Sequence, residues 1–513
     1  VIEARESGIP LLVLSADRPF EQQQCGAQQT IDQTRLFGAY AAYFELGTPV
    51  DDRAALLGLR RMAWQAVATS LEPPRGAVHL NFRAKKPLEP SRERIELGVS
   101  AGRPEERLPQ PGSRPPVSFE RSEFVPDADV QAIAEQLGRS ACPVLICGAL
   151  LPADHPSPAL VQRFARASNA LVFPESVSQL RFRMAAEEPS LCDAYDWVIG
   201  SSEVVERARP DFAIQLGGAP LSAGLGRLIQ ESSETLGYAI CAERGWPDSL
   251  HDSARIVRSR PAPLLEAICA VLERRGQLRP TREQRLWQRA NALARRTVQS
   301  ELEREFGEPE AVHAICEAVP AASLLVLGNS LPPRLIDRYC PAAARQLTVL
   351  SQRGAAGIDG CVAGALGAAS LASTPTTLLL GDISFLHDIG SLWAARAERR
   401  RNPAFTQPVV IAVLNNGGGR IFEQLPLADL SGLDQGLWTT PHGMDLRAAA
   451  ELYGLEFERV SERSALRSAL QGAYRRATVT LLEVVVDAHS AAARLKRMTA
   501  LLAARLAELA REP

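Results

Sequence analysis

Two polar clusters at the ends of short apolar runs could do chemistry in this chain. The stretch from Thr377 to Pro426 reads TLLLGDISFLHDIGSLW, then a basic run and a proline-bounded break, then PVVIAVLNNGGGRIFEQLP. The runs Leu378–Leu380 and Val409–Leu414 have the length and composition of buried parallel strands. One ends in Gly381-Asp382 and the other in Asn415-Asn416-Gly417-Gly418-Gly419. Ligands of an open α/β sheet sit beyond the carboxyl ends of its strands. The Asp382 carboxylate and the Asn416 amide oxygen should therefore converge on a ligand, and the glycines let the backbone approach and offer a carbonyl. Few protein oxygens, with the other positions left to water and a ligand's phosphates, describe a Mg²⁺ site.

A dinucleotide fingerprint would look different. It places G-x-G-x-x-G after its first strand and an acid about twenty positions on. Here the acid comes first and the glycines follow the next strand. Either half alone is ordinary turn chemistry at a strand end; the ordered pair, between two strands, points to a metal-diphosphate site.

The chain has 513 residues, enough for about three domains. An apolar fraction of 46% is that of an ordinary globular protein. A net charge of -2 gives no basic field for nucleic acid or membrane. Arginine carries nearly all the positive charge, since Lys85, Lys86 and Lys496 are the only lysines. The nine cysteines include no C-x-x-C, so neither a zinc knuckle nor a disulfide framework is expected, and a reducing cytoplasm fits. No run approaches the roughly 18 apolar residues of a membrane span, and no signal peptide is visible.

The elements around the site suggest three α/β units, each a doubly wound parallel sheet. The first, residues 1–90, opens at the tail of a helix. It continues through the strand Leu11–Leu14, the helix Ala54–Ser70 and the strand Gly76–Leu80, in which His79 reads as packed core. A doubly wound sheet should have earlier strands, so the chain is expected to begin inside this domain. Residues 91–125 have the proline and charge content of a linker. The second unit, residues 126–290, has strands Pro143–Cys147, Ala170–Phe173, Phe212–Leu216, Gly237–Cys241 and Ala254–Val257. Gly217-Gly218 at the end of one of them could approach a phosphate, but a purely scaffolding unit is the stronger reading. A charged helix over Thr281–Glu305 leads to the third unit, residues 300–513, with strands Leu324–Leu327, Thr348–Leu350, Leu378–Leu380, Val409–Leu414 and Leu481–Val486. Their ends read GNSLPPR, SQRGAAGIDG, GDIS, NNGGG and DAH, four of them small or polar as a ligand crevice demands. The run Arg399-Arg400-Arg401 and the arginines of the helical tail Ala491–Glu512 read as solvated faces.

SADRP, GAQQTIDQ, GNSLPPRLID, QRGAAGIDG, GDISFLHD and NNGGGRIFEQLP, in this order, resemble the 2-succinyl-5-enolpyruvyl-6-hydroxy-3-cyclohexene-1-carboxylate synthase family. These are thiamine-diphosphate enzymes of menaquinone and phylloquinone synthesis. The likeness runs to about residue 490 and is weakest between about 90 and 300. It implies pyrimidine-binding, central and diphosphate-binding domains, the first of them truncated here. It also implies a homodimer or homotetramer, with the cofactor between the first domain of one subunit and the third of another. The implied reaction is decarboxylation of 2-oxoglutarate, with thiamine diphosphate as electron sink, and addition of the resulting carbanion to isochorismate. Matching positions assign Asp382, Asn416 and the Gly418 carbonyl to Mg²⁺ or Mn²⁺. Ile358 props the cofactor into a bent form, and Ile421 and Phe422 line its pocket. Gly381, Ile383, Ser384 and Gly419 belong to the same cofactor motifs. Ser330, Arg334 and Arg353 hold 2-oxoglutarate and its adduct, and Arg18 and Gln29 meet isochorismate.

The pattern is broken in two places. The family's activating Glu, and a Ser-Arg pair for isochorismate, would lie upstream of Val1. Glu3, Glu6, Glu21 and Glu45 stand in the wrong contexts to replace that Glu, so little or no turnover is expected from these residues alone. The segment Ala219–Leu225 resembles the family's P-x-S-K with Ala223 in place of Lys, and Arg227, one turn on, is a candidate substitute. Two other functions remain open. Another thiamine-diphosphate carboligase or decarboxylase, acetolactate-synthase-like, would share the metal site but lack Arg334 and Arg353 paired with SADRP. A catalytically silent binding protein on the same fold would show no cofactor-dependent CO₂ release.

Overall fold

The apolar runs become parallel strands, fourteen of them in three sheets among the described residues. The computed structural model describes residues 1–48, 53–85, 125–230, 236–242, 253–276, 278–401, 407–425, 430, 432 and 434–512. All but the end of the expected linker lies outside them. Two units emerge: residues 1–122 with 243–245 and 353–355, and a larger one holding the rest.

In the smaller unit β1 (Leu11–Asp17), β2 (Ala41–Gly47) and β3 (Ala77–Arg83) form a parallel sheet in the order β1-β3-β2. The helix Arg53–Leu71 covers it, with Ala66 packed on Val78 and Leu80. His79 is buried as expected, its Nε2 2.6 Å from Ser15 Oγ. A polar cluster lies at the carboxyl end of the sheet. There Arg83 pairs with Asp17 at 3.0 Å and with Glu45 at 3.2 Å, and Asn81 Nδ2 donates to Asp17 at 3.0 Å. The sequence reading passed over β2, an edge strand whose apolar residues are interrupted by Glu45.

The larger unit holds two sheets. The first runs β5-β4-β6-β7-β8, from β4 (Pro143–Cys147), β5 (Leu171–Pro174), β6 (Phe212–Leu216), β7 (Leu236–Ile240) and β8 (Ser253–Val257). The second runs β10-β9-β11-β12-β14-β13. Its strands are β9 (Leu324–Leu327), β10 (Thr348–Ser351), β11 (Thr376–Gly381), β12 (Val409–Asn415), β13 (Glu456–Val460) and β14 (Val479–Val485). Every pairing in both is parallel. Arg181, 1% exposed, bridges elements of the two sheets. Its guanidinium donates to the carbonyls of Pro174, Asp193, Ile336, Asp337 and Cys340, and lies 3.4 Å from the Asp337 carboxylate. Burial raises the Asp337 pKa to about 6 despite that guanidinium.

Two expectations need revision. The strand β13 was missed, because EFERV alternates charge with apolar residues at a sheet edge. The tail helix Ser490–Arg511 is not solvated at all its arginines: Arg494 is buried and pairs with Glu305 and Glu310, while Arg505 reaches Thr297 Oγ1 at 3.1 Å. Gly217 has a packing reason of its own, as the scaffold reading expects: φ is +82°, and a Cβ would stand 2.3 Å from the Ala149 carbonyl oxygen. The run Arg399–Arg401 closes the helix Leu392–Arg401, but its side chains lie outside the described residues.

Beyond β4, His155 is half-buried with Nδ1 3.2 Å from the Pro156 carbonyl, which fixes the proton on Nδ1. Burial lowers its pKa to about 4. Between its ordinary value and that one, the unfolded chain binds a proton that the native state refuses, so stability is lost as pH falls from about 6.5 to about 4. The loss amounts to about 3 kcal/mol, at about 1.4 kcal/mol for each pH unit crossed. His155→Gln should flatten this part of the pH dependence of the urea midpoint. An identical slope in wild type and variant would contradict it.

Candidate active site

β11 and β12 are neighbours in register, Gly381 opposite Leu414, so the residues that follow them emerge side by side. Asp382 begins the short helix Asp382–His387 and is 2% exposed. Its Oδ1 accepts from the Ile383 N–H at 2.7 Å. Its Oδ2 accepts from the Gly418 N–H at 2.9 Å, across the gap between the strand tips. A second donor arrives from a distant loop. His442 Nδ1 accepts from the Met444 N–H at 3.0 Å, which leaves the proton on Nε2, 3.2 Å from Asp382 Oδ2. Three donors thus fix the carboxylate, and Oδ1 keeps a free lone pair.

Asn416 is buried, and its Nδ2 donates to Glu308 Oε1 at 2.6 Å. Its Oδ1 is buried without a hydrogen-bond partner, and so is Glu308 Oε2. Burial raises the Glu308 pKa to about 7; the Asn416 amino group opposes the shift, and the Asp382 and Glu423 charges add to it. Gly418 has φ +146°, and a Cβ there would lie 2.2 Å from the Thr439 carbonyl oxygen. Its own carbonyl accepts from the Arg420 N–H at 2.9 Å and retains one lone pair. One carboxylate, one orphaned amide oxygen and one carbonyl are hard-oxygen donors of the kind that suits Mg²⁺ or Mn²⁺. Among the described residues no group of three His, Cys, Asp or Glu side chains could hold a metal ion, so a metal here would rely on the amide and the backbone.

The other predicted residues fall into two groups. In the larger unit, Gly381 caps the helix that Asp382 opens, with Ile383 and Ser384 in its first turn. Gly419 packs on Phe422, which is half-exposed, and Ile421 packs on the main core. Ile358 is half-buried in the loop after β10. Ser330, with φ +74°, caps the helix Leu331–Tyr339, and Arg334 Nη1 donates to the Ser330 carbonyl at 2.6 Å. Burial, with the Arg338 charge adding, lowers the Arg334 pKa. In the smaller unit Arg18 Nη2 donates to Gln29 Oε1 at 3.1 Å, so the two proposed isochorismate residues touch. Arg353 also belongs to this unit, and Glu3 anchors the residues that follow it: its carboxylate accepts from the Gly354 and Ala355 N–H groups, both at 2.8 Å. Ala223 and Arg227 line one cavity of about 530 Å³ with Arg209 and Arg338.

Sequence reasoning missed Glu308 and His442. An acid opening a helix after glycine looks like a macrodipole complement, and a histidine in PHGMD looks like loop.

The thiamine pyrophosphate enzyme C-terminal TPP binding domain family matches residues 335–484, which carry both strand tips. A 2-succinyl-5-enolpyruvyl-6-hydroxy-3-cyclohexene-1-carboxylate synthase of Sorangium cellulosum is 37% identical over 97% of this chain and 81% of its own length. The chain belongs to that synthase family. A synthase of the same name from Myxococcus xanthus is 33% identical over 99% of this chain and 84% of its own. The chain is thus a thiamine-diphosphate-dependent enzyme of the transferase class. A solved structure from Mycobacterium smegmatis, described as a thiamin diphosphate-dependent enzyme, aligns with a TM-score of 0.62 at 16% identity. It covers 95% of this chain and 84% of that one, a likeness of fold.

Gly418→Ala forces a side chain into a backbone conformation and a space that exclude it. It should destabilise the protein by about 1–3 kcal/mol. Chemical denaturation checks this; an unchanged midpoint would mean the turn absorbs the methyl group.

Proposed function

We propose that this protein decarboxylates 2-oxoglutarate and adds the resulting four-carbon unit to isochorismate, in menaquinone or phylloquinone synthesis. The observation that carries the proposal is that Asp382 and Asn416, the latter with an orphaned amide oxygen, follow adjacent strand tips bridged by the Gly418 N–H, in a chain of this family. When bound, thiamine diphosphate supplies a nucleophilic carbon and the electron sink that lets CO₂ depart. Asp382, Asn416 and the Gly418 carbonyl would hold the divalent ion at its diphosphate. Ile358, Gly381, Ile383, Ser384, Gly419, Ile421 and Phe422 would line the cofactor.

Both substrates are polycarboxylates, which suits guanidinium groups held in fixed directions. Arg334, kept half-buried against the Ser330 carbonyl, would receive a 2-oxoglutarate carboxylate together with Ser330. Arg353 would serve 2-oxoglutarate or its adduct. Arg18, steadied by Gln29, would meet isochorismate. In this reading residues 1–90 are the pyrimidine-binding domain, 126–290 the central domain and 300–513 the diphosphate and metal domain. The proposed setting is a cytoplasmic homodimer or homotetramer. Among the described residues, no helix is long and apolar enough to cross a membrane.

The decisive experiment supplies protein expressed from its own gene with Mg²⁺, thiamine diphosphate and either 2-oxoglutarate plus isochorismate or pyruvate alone. Product mass and CO₂ release should appear with the first pair; turnover of pyruvate alone would instead favour an acetolactate-synthase-like enzyme. Arg334→Ala should raise the KM for 2-oxoglutarate roughly ten- to a hundredfold, the worth of a charge-assisted hydrogen bond of about 1.5–3 kcal/mol.

A further inference from the structure

An asparagine that ligates a cation must present the correct end of its amide. The oxygen and the amino group have nearly the same outline, yet only the oxygen has lone pairs for a metal. Turning the side chain by half a revolution leaves its shape unchanged and would aim two N–H bonds at the ion. Something must therefore choose the orientation of Asn416.

The group that does so comes from far away in the sequence. Glu308 is the first residue of the helix Glu308–Ala318, on neither of the two strand tips, and is 1% exposed. Its Oε1 takes the Asn416 amino group at 2.6 Å. Ionised, this carboxylate only accepts hydrogen bonds, so it pairs with Nδ2 and not with Oδ1. The opposite end of the amide, Oδ1, is the buried atom without a partner. Glu308 Oε2 is likewise buried and unpartnered, and no cationic side chain among the described residues forms a salt bridge with this carboxylate. A buried carboxylate without a countercharge is costly, and a cation next to Asn416 would provide one.

We propose that Glu308 is a positioning residue of the metal site: by claiming the amino group of Asn416 it commits the amide oxygen to the divalent ion. This rests on the reading of Asp382 and Asn416 as metal residues, and the test separates the two claims. Mn²⁺ affinity in the presence of thiamine diphosphate is read from the electron paramagnetic resonance signal of free Mn²⁺, with thermal unfolding as the check on folding. Glu308→Gln can donate to Oδ1 as readily as it accepts from Nδ2, and should weaken Mn²⁺ binding by about 10- to 100-fold, the range for partners that orient metal ligands. Glu308→Ala removes the acceptor and should show a comparable loss, which keeps the test available if the glutamine variant is unstable.

Asn416→Asp carries oxygen on both branches, so its orientation no longer matters. In that background most of the cost of Glu308→Gln should vanish, a coupling that a merely structural role would not produce. Equal losses in both backgrounds, or none in the Asn416 protein, would overturn the positioning role. Undiminished Mn²⁺ binding in Asp382→Asn would instead overturn the metal-site reading itself.

Discussion

A single hydrogen bond, from the Gly418 N–H to the Asp382 carboxylate, joins the tips of two adjacent strands. It has consequences on both sides. For Asp382 it consumes one lone pair on a carboxylate that Ile383 and His442 also hold, so its remaining acceptor direction is set by the protein. For the glycine turn it requires a backbone conformation and a closeness to Thr439 that no side chain permits. The parallel register of β11 and β12 makes the bond possible.

The cost of this arrangement lies in buried polar atoms. Asp382 and Glu308 are both carboxylates inside the protein, near enough for the charge of the first to bear on the ionisation of the second, and the Asn416 oxygen has no protein partner. Groups of this kind destabilise a fold unless something outside the chain completes them. The surrounding apolar strands supply the compensation: β11 and β12 are buried along almost their whole length, and their side chains enter two separate cores on opposite faces of one sheet. Stability and the means of binding are thus carried by the same two strands, the first through their side chains and the second through the turns beyond their last residues.

Much of this could be read from residue order. Strands buried on both faces announce themselves as unbroken apolar runs, and β4, β6, β9 and β12 match the sequence expectation to within a residue. Edge strands interrupted by charge do not: β2, broken by Glu45, and β13, broken by Glu456, Glu458 and Arg459, were lost for that reason, while the more apolar edge strands β5 and β10 were not. Asp382 and Asn416 were legible because strand ends are where chain order predicts spatial proximity. Glu308 and His442 were not, since nothing local ties a helix start or a loop histidine to strand tips that only folding brings near. Arg494 shows the same limit from the other side: a helical arginine looks solvated until the acids that meet it, Glu305 and Glu310, arrive from another segment.

Arg181 sits inside the larger unit with five carbonyl groups converging on its guanidinium. Those carbonyls belong to segments from both sheets of that unit, so sliding one past the other would strand a charge and several acceptors in an apolar interior. The two sheets therefore form a single mechanical block.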